Sequence, residues 1–144
     1  MDLLERARTL AACPLFENLA PAVLIRLAER ARASELSRGE RRTTDETVWI
    51  VASGSLAVVV RAPSTTDITA SIARKRGAPA VAGNALGMIR VVRPATPVVE
   101  VIAEAPSVLV GVGFDDMRDV LEEDANALTA LADRLAGLLL SEAS

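Results

Sequence analysis

Val48-Trp49-Ile50-Val51-Ala52-Ser53-Gly54-Ser55-Leu56-Ala57-Val58-Val59-Val60 reads as two short strands, Val48–Val51 and Leu56–Val60, folded about the turn Ser53-Gly54. Both runs are β-branched or apolar at nearly every position, and they look like strands. The same pattern recurs at Ile68–Ile72, Val98–Ile102 and Val108–Val112. Turn residues separate the runs at Pro63-Ser64, Arg76-Gly77 and the Pro94 to Pro97 stretch. Many short strands at close spacing predict a sandwich or barrel from about Leu36 to Gly113.

Helical periodicity flanks this region on both sides. Leu3, Leu4, Ala7, Leu10 and Ala11 share one face of a first helix, which Pro14 ends. A second helix is predicted from about Pro21 to Arg32, with Val23, Leu24, Leu27, Ala28 and Ala31 as its apolar stripe. Pro21 suits the first helical position, while Ala20 before it offers no capping oxygen. Beyond the strands, Asp115 is the expected N-cap of a third helix, with Asp116 and Asp119 near its positive end. A last helix is predicted from about Asp124 to Leu140. Its Leu128, Leu131, Leu135 and Leu138 follow a short coiled-coil-like spacing, interrupted by Gly137.

Composition limits the chemistry. The 144 residues are 51% apolar and 24% charged, the make-up of one folded domain with an aliphatic core. The aromatic residues are Trp49, Phe16 and Phe114. No His is present, which removes a His general base, Ser-His-Asp and Cys-His nucleophilic systems, and His-ligated metals. One cysteine, Cys13, excludes an internal disulfide and a thiolate zinc site; beside Pro14 it is expected to be buried and inert. No apolar run is long enough for a membrane span and no leader is read, so a cytoplasmic protein without a membrane partner is expected. The acidic residues Asp115, Asp116, Asp119, Glu122, Glu123 and Asp124 lack calcium-loop spacing and read as a solvated helix face. Net charge is −3, made of a neutral 1–60, a +5 middle over 61–99 and a −8 segment over 100–144. Arg74-Lys75-Arg76 has no aromatic neighbours, so no nucleic-acid partner is expected.

Four short motifs, taken in order, resemble the cyclic nucleotide-binding domain family. Pro14-Leu15-Phe16-Glu17-Asn18-Leu19-Ala20-Pro21 is similar to the family's entry into its second helix. Ser37-Arg38-Gly39-Glu40 resembles the turn that opens its β-roll, and Trp49 to Leu56 resembles the strand and glycine turn that follow. The fourth, Gly83-Asn84-Ala85-Leu86-Gly87-Met88, resembles the start of the phosphate-binding cassette. The resemblance implies an α+β, mainly β fold. N-terminal helices over 1–34 precede a β-roll of roughly eight strands, jelly-roll-like, over 35–113, and C-terminal helices follow over 114–144.

In the family, a cassette Glu accepts from the ribose hydroxyl and a later Arg pairs with the cyclic phosphate. Here both cassette glycines are present and Asn84 stands for Asp, but Met88 stands for the Glu. Nine residues on from Met88, Pro97-Val98-Val99 stands where Arg-Ser/Thr-Ala belongs. A thioether is a weak acceptor, and proline has neither charge nor N–H. The resemblance therefore implies a cassette (Gly83, Asn84, Leu86, Gly87, Met88, Pro97, Val98, Val99) that does not hold cAMP or cGMP in the usual way. An alternative register would let Arg93, or else Arg90, take the phosphate, giving a small-ligand sensor with a non-standard pocket. The loop Thr43-Thr44-Asp45-Glu46 is shorter than usual, with only hairpin length at stake. No cofactor, metal or catalytic residue is implied. The expected function is a regulatory, protein-interacting module whose partner the sequence does not name, with the Leu128–Leu138 seam offered for a homodimer.

Overall fold

The computed structural model describes residues 1–60, 80–87 and 98–143. The expected strand Ile68–Ile72 lies outside these residues, as do Met88, Arg90, Arg93 and Pro97. Helix α1 spans Leu3–Ala11 and begins in a reciprocal cap. The Glu5 N–H donates to Asp2 Oδ1 at 2.8 Å and the Asp2 N–H donates to Glu5 Oε2 at 3.2 Å, which satisfies two donors that a helix start leaves free. A 3₁₀ turn, Pro14–Phe16, leads to α2, Pro21–Arg30. Arg6 Nε donates to the Ala28 carbonyl at 2.9 Å and ties the two helices together.

Helix α2 ends two residues before the expected Arg32. Ala31 is extended (ψ 154°), and β1 runs Arg32–Leu36. The cause is tertiary: β1 pairs antiparallel with the strand at 107–113, and of its side chains only Leu36 is buried. There follow β2 (Arg41–Thr43), β3 (Thr47–Ser53), β4 (Ser55–Val60), β5 (Ala80–Val81), β6 (Ala85–Leu86), β7 (Val99–Ala103) and β8 (Ser107–Gly113). The described strands form two four-stranded antiparallel sheets, in the orders β1-β8-β3-β6 and β2-β7-β4-β5. Helices α3 (Phe114–Glu122) and α4 (Ala125–Ala143) complete the described chain.

The pleat of β3 explains its continuous apolar sequence. Val48 and Ile50 join Val110 and Val112 beneath the helices, among Leu10, Phe16, Leu27, Met117 and Leu121. Trp49 and Val51 point the other way, into a second cluster between the sheets with Leu36, Leu56, Ala80, Val101, Ala103 and Leu109. The β1-β8-β3-β6 sheet is thus the middle of three layers and is wetted on neither face along β3 and β8. The Ser53-Gly54 turn fits closely. Gly54 has φ +99°, and a Cβ there would lie 2.6 Å from the Ser107 backbone.

The start of α3 differs from expectation. Gly113, not Asp115, is its N-cap, and it makes no side-chain cap bond. The Phe114 N–H instead donates to the Glu46 carbonyl at 2.9 Å, a partner brought in from the strand side. Asp115 and Asp116 lie in the first turn, where the helix dipole favours them. The acidic run is not simply solvated. Asp116 and Asp119 pair with Arg30 at 3.5 and 3.6 Å, and Glu123 pairs with Arg26, so α3 faces α2 across ion pairs. Asp124 caps α4, its Oδ1 accepting from the N–H groups of Asn126 and Ala127. No described helix is long and apolar enough to cross a membrane.

Candidate ligand pocket

The first half of the cassette is a tight turn between β5 and β6. Asn84 Oδ1 accepts from the Val81 N–H at 2.8 Å, and the Asn84 N–H donates to the Val81 carbonyl at 3.0 Å. The Asn84 side chain is therefore used to close its own loop, as short polar side chains commonly do in turns. Gly83, at φ +91°, donates its N–H to the Val51 carbonyl at 2.9 Å, and the Val51 N–H donates to the Asn84 carbonyl at 2.9 Å. These bonds fix the cassette to β3 at the residue whose side chain enters the space between the sheets.

Gly87 occupies a second left-handed position, φ +89°. A Cβ there would lie 2.8 Å from the Thr44 Cβ and 3.0 Å from its Cγ2. Glycine is thus required both by backbone conformation and by a close neighbour. Thr44 is fully buried. Its Oγ1 accepts from the Val99 N–H at 2.9 Å and donates to the Val99 carbonyl at 3.3 Å, while its own N–H donates to that carbonyl at 2.9 Å. The Thr43 to Glu46 loop therefore concerns the pocket and not hairpin length alone, because Thr44 touches both Gly87 and Val99. Sequence reasoning missed it, for its partner lies 55 positions further along the chain.

Of the expected pocket residues, the structure places Gly83, Asn84, Leu86, Gly87, Val98 and Val99; Met88, Arg93, Arg90 and Pro97 lie outside the described residues. Leu86 and Val99 are half-buried against the inter-sheet cluster, and Val98 is half-buried beside Val99. Trp49 sits in that cluster with its indole N–H donated to the Thr43 carbonyl at 2.8 Å, and its ring lies against Gly111. Glu100 is buried but alternates with Val99 and Val101, so its side chain leaves the opposite face of β7, where Arg41 pairs with it at 3.2 Å. Cys13 is buried beneath the helices, and desolvation pushes its thiol pKa up, which disfavours the reactive thiolate. In the C-terminal seam, Leu131 is buried in the core while Leu128 is 43% exposed.

No protein-family model matches the chain, and no curated protein matches it. Solved structures do. The sensor domain of the transcriptional regulator DNR from Pseudomonas aeruginosa superposes with a TM-score of 0.73 at 18% identity, over 97% of this chain and 92% of that one. The regulatory subunit of a cAMP-independent protein kinase A from Trypanosoma brucei gives 0.68 at 18% identity, over 91% of this chain and 47% of that one. The regulatory domain of Toxoplasma gondii PKA, crystallised with cAMP, gives 0.71 at 12% identity, over 94% and 50%. The fold is that of cyclic nucleotide-binding domains, a β-roll flanked by helices. This chain spans about half the length of the kinase regulatory subunit and the kinase regulatory domain it matches.

Proposed function

We propose that this chain is a non-catalytic regulatory module that works through a protein partner and does not hold cAMP or cGMP in the usual way. One observation carries the reading: at the two cassette positions that grip a nucleotide, the sequence has Met88 and Pro97. The polar groups of the described cassette support it. Asn84 is spent on Val81 and Thr44 on Val99. Leaving a buried anion without its charged partner typically costs ~2–5 kcal/mol, which takes micromolar binding to between tens of micromolar and a few millimolar. Structures named for cAMP-bound and for cAMP-independent kinase regulation both share this fold, so the fold accommodates either behaviour.

The test is thermal unfolding with and without millimolar cAMP, cGMP and cyclic dinucleotides. A ligand at about 100 times its Kd adds ~2.7 kcal/mol, a shift of several degrees for a domain of this size. The proposal expects no shift; a clear shift with cAMP or cGMP overturns it.

A second reading has its own support. Gly83 and Gly87 both hold the left-handed conformation, so the turn scaffold of a cassette is intact. A non-standard ligand would then draw its charge from Arg93 or Arg90. Arg93→Ala should abolish any ligand-induced shift found in the same assay; an unchanged shift removes Arg93. Under either reading, a homodimer through α4 is also proposed, since Leu128 is 43% exposed. Sedimentation should give a dimer that Leu128→Lys dissociates, and a monomer at high concentration rejects that part.

A further inference from the structure

A cleft of about 420 Å³ opens between the start of α3, the start of β1 and the segment entering β3. Arg32, Glu46, Thr47, Asp115, Asp116 and Arg118 line it. Asp116 is engaged by Arg30. The other four charged groups, Arg32, Arg118, Glu46 and Asp115, take part in no ion pair among the described residues. Two guanidiniums and two carboxylates thus share one cleft without meeting each other. Arg118 adds a sharper observation: its Nε is buried and has no hydrogen-bond acceptor among the described residues. A buried donor left unpaired is costly, and a guanidinium has no way to shed its charge to reduce that cost.

The geometry points to a binding site for a small zwitterion, an α-amino acid being the simplest. An anion alone would meet Glu46 and Asp115, and a cation alone would meet Arg32 and Arg118. A ligand with a carboxylate beside an ammonium satisfies both sets: its carboxylate accepts from Arg118 and Arg32, and its ammonium donates to Glu46 and Asp115. The volume lies within the range of small-ligand sites. Thr47 of this cleft adjoins Gly87 of the cassette, but none of the four charged groups belongs to the cassette, so the assignment holds whichever way the nucleotide assay falls.

The experiment is an NMR titration of the uniformly ¹⁵N-labelled full chain with each standard amino acid at up to ~20 mM, enough to reveal a millimolar site. Acetate and methylammonium, each alone at matched ionic strength, are the single-charge probes. At least one amino acid should produce saturable shifts at the Thr47, Gly113 and Asp115 amides. Its affinity should fall at least ~10-fold in Arg118→Gln, and likewise in the exposed-site variants Arg32→Gln and Glu46→Gln, which keep the test open should Arg118→Gln fail to fold. Acetate and methylammonium should bind at least ~10-fold more weakly than that amino acid. No saturable shift with any amino acid, shifts that survive the Arg32 and Glu46 substitutions, or acetate binding as tightly as the amino acid would each overturn the assignment.

Discussion

Thr44 and Gly54 show how much of the roll rests on single side chains. Thr44→Val keeps the volume but strips an acceptor from the Val99 N–H, so it should destabilise by ~1–3 kcal/mol in urea unfolding. Gly54→Ala must take a left-handed backbone and press a methyl into Ser107. It should cost ~2–4 kcal/mol in the same measurement, more than an ordinary surface change. Cys13 has a pH signature. Its folded pKa is raised by burial, so above about pH 8.5 the unfolded thiol loses its proton while the folded one keeps it. Stability should therefore fall as pH rises through that range, and the Cys13→Ala variant should lack that component of the slope. The glycines of the cassette were legible through the resemblance, which places Gly83 and Gly87 at its two glycine positions. Thr44 was not, because nothing in a threonine-rich loop says which distant N–H it will accept from. Asp115 misled for a related reason: it carries the favoured capping oxygen, yet Glu46 from another element supplies the acceptor at the start of α3.

Among the elements, β3, β4, β7 and β8 could be read because their apolar runs have few interpretations besides doubly buried or half-buried strands. β1 could not. Its sequence Arg32-Ala33-Ser34-Glu35-Leu36 buries a single side chain fully, so periodicity has almost nothing to register. Its pairing with β8 decides its conformation. β2 is too short to announce itself, with three polar residues held by β7. The contact of α2 with α3 gives an element-level prediction. Arg30 faces both Asp116 and Asp119, but all three are substantially exposed. Arg30→Ala should therefore cost no more than ~1 kcal/mol, and most of that loss should vanish at high salt. A loss that persisted in salt would mean that the arginine stem packs more tightly than the ion pairs suggest.

At the scale of the molecule, the fold is three layers held by two apolar clusters that share the middle sheet. Trp49 is the largest side chain between the sheets and the sole tryptophan. Trp49→Ala should destabilise by ~3–5 kcal/mol, measured by circular dichroism, since the probe itself is deleted. In the intact chain, indole emission should be blue-shifted and should move to the red in one transition coincident with the loss of helix signal. Two separated transitions would show that the helix layer and the roll unfold independently. The succession of helices, strands and helices was legible in the patterning; which sheet lies against the helices was not. The split of β3 between two cores follows from its alternation once the strand is placed.

That shared wall bears on solvent exchange. Strand β3 lies between β8 and β6, and β8 lies between β1 and β3, so the backbone of both is bonded toward two neighbours while apolar clusters cover both faces. Their central amides, Ile50 and Val110 among them, have no local route to water. Their protons should leave only when the whole chain opens, so the slowest deuterium uptake in the protein would read the global unfolding free energy directly, with no denaturant added.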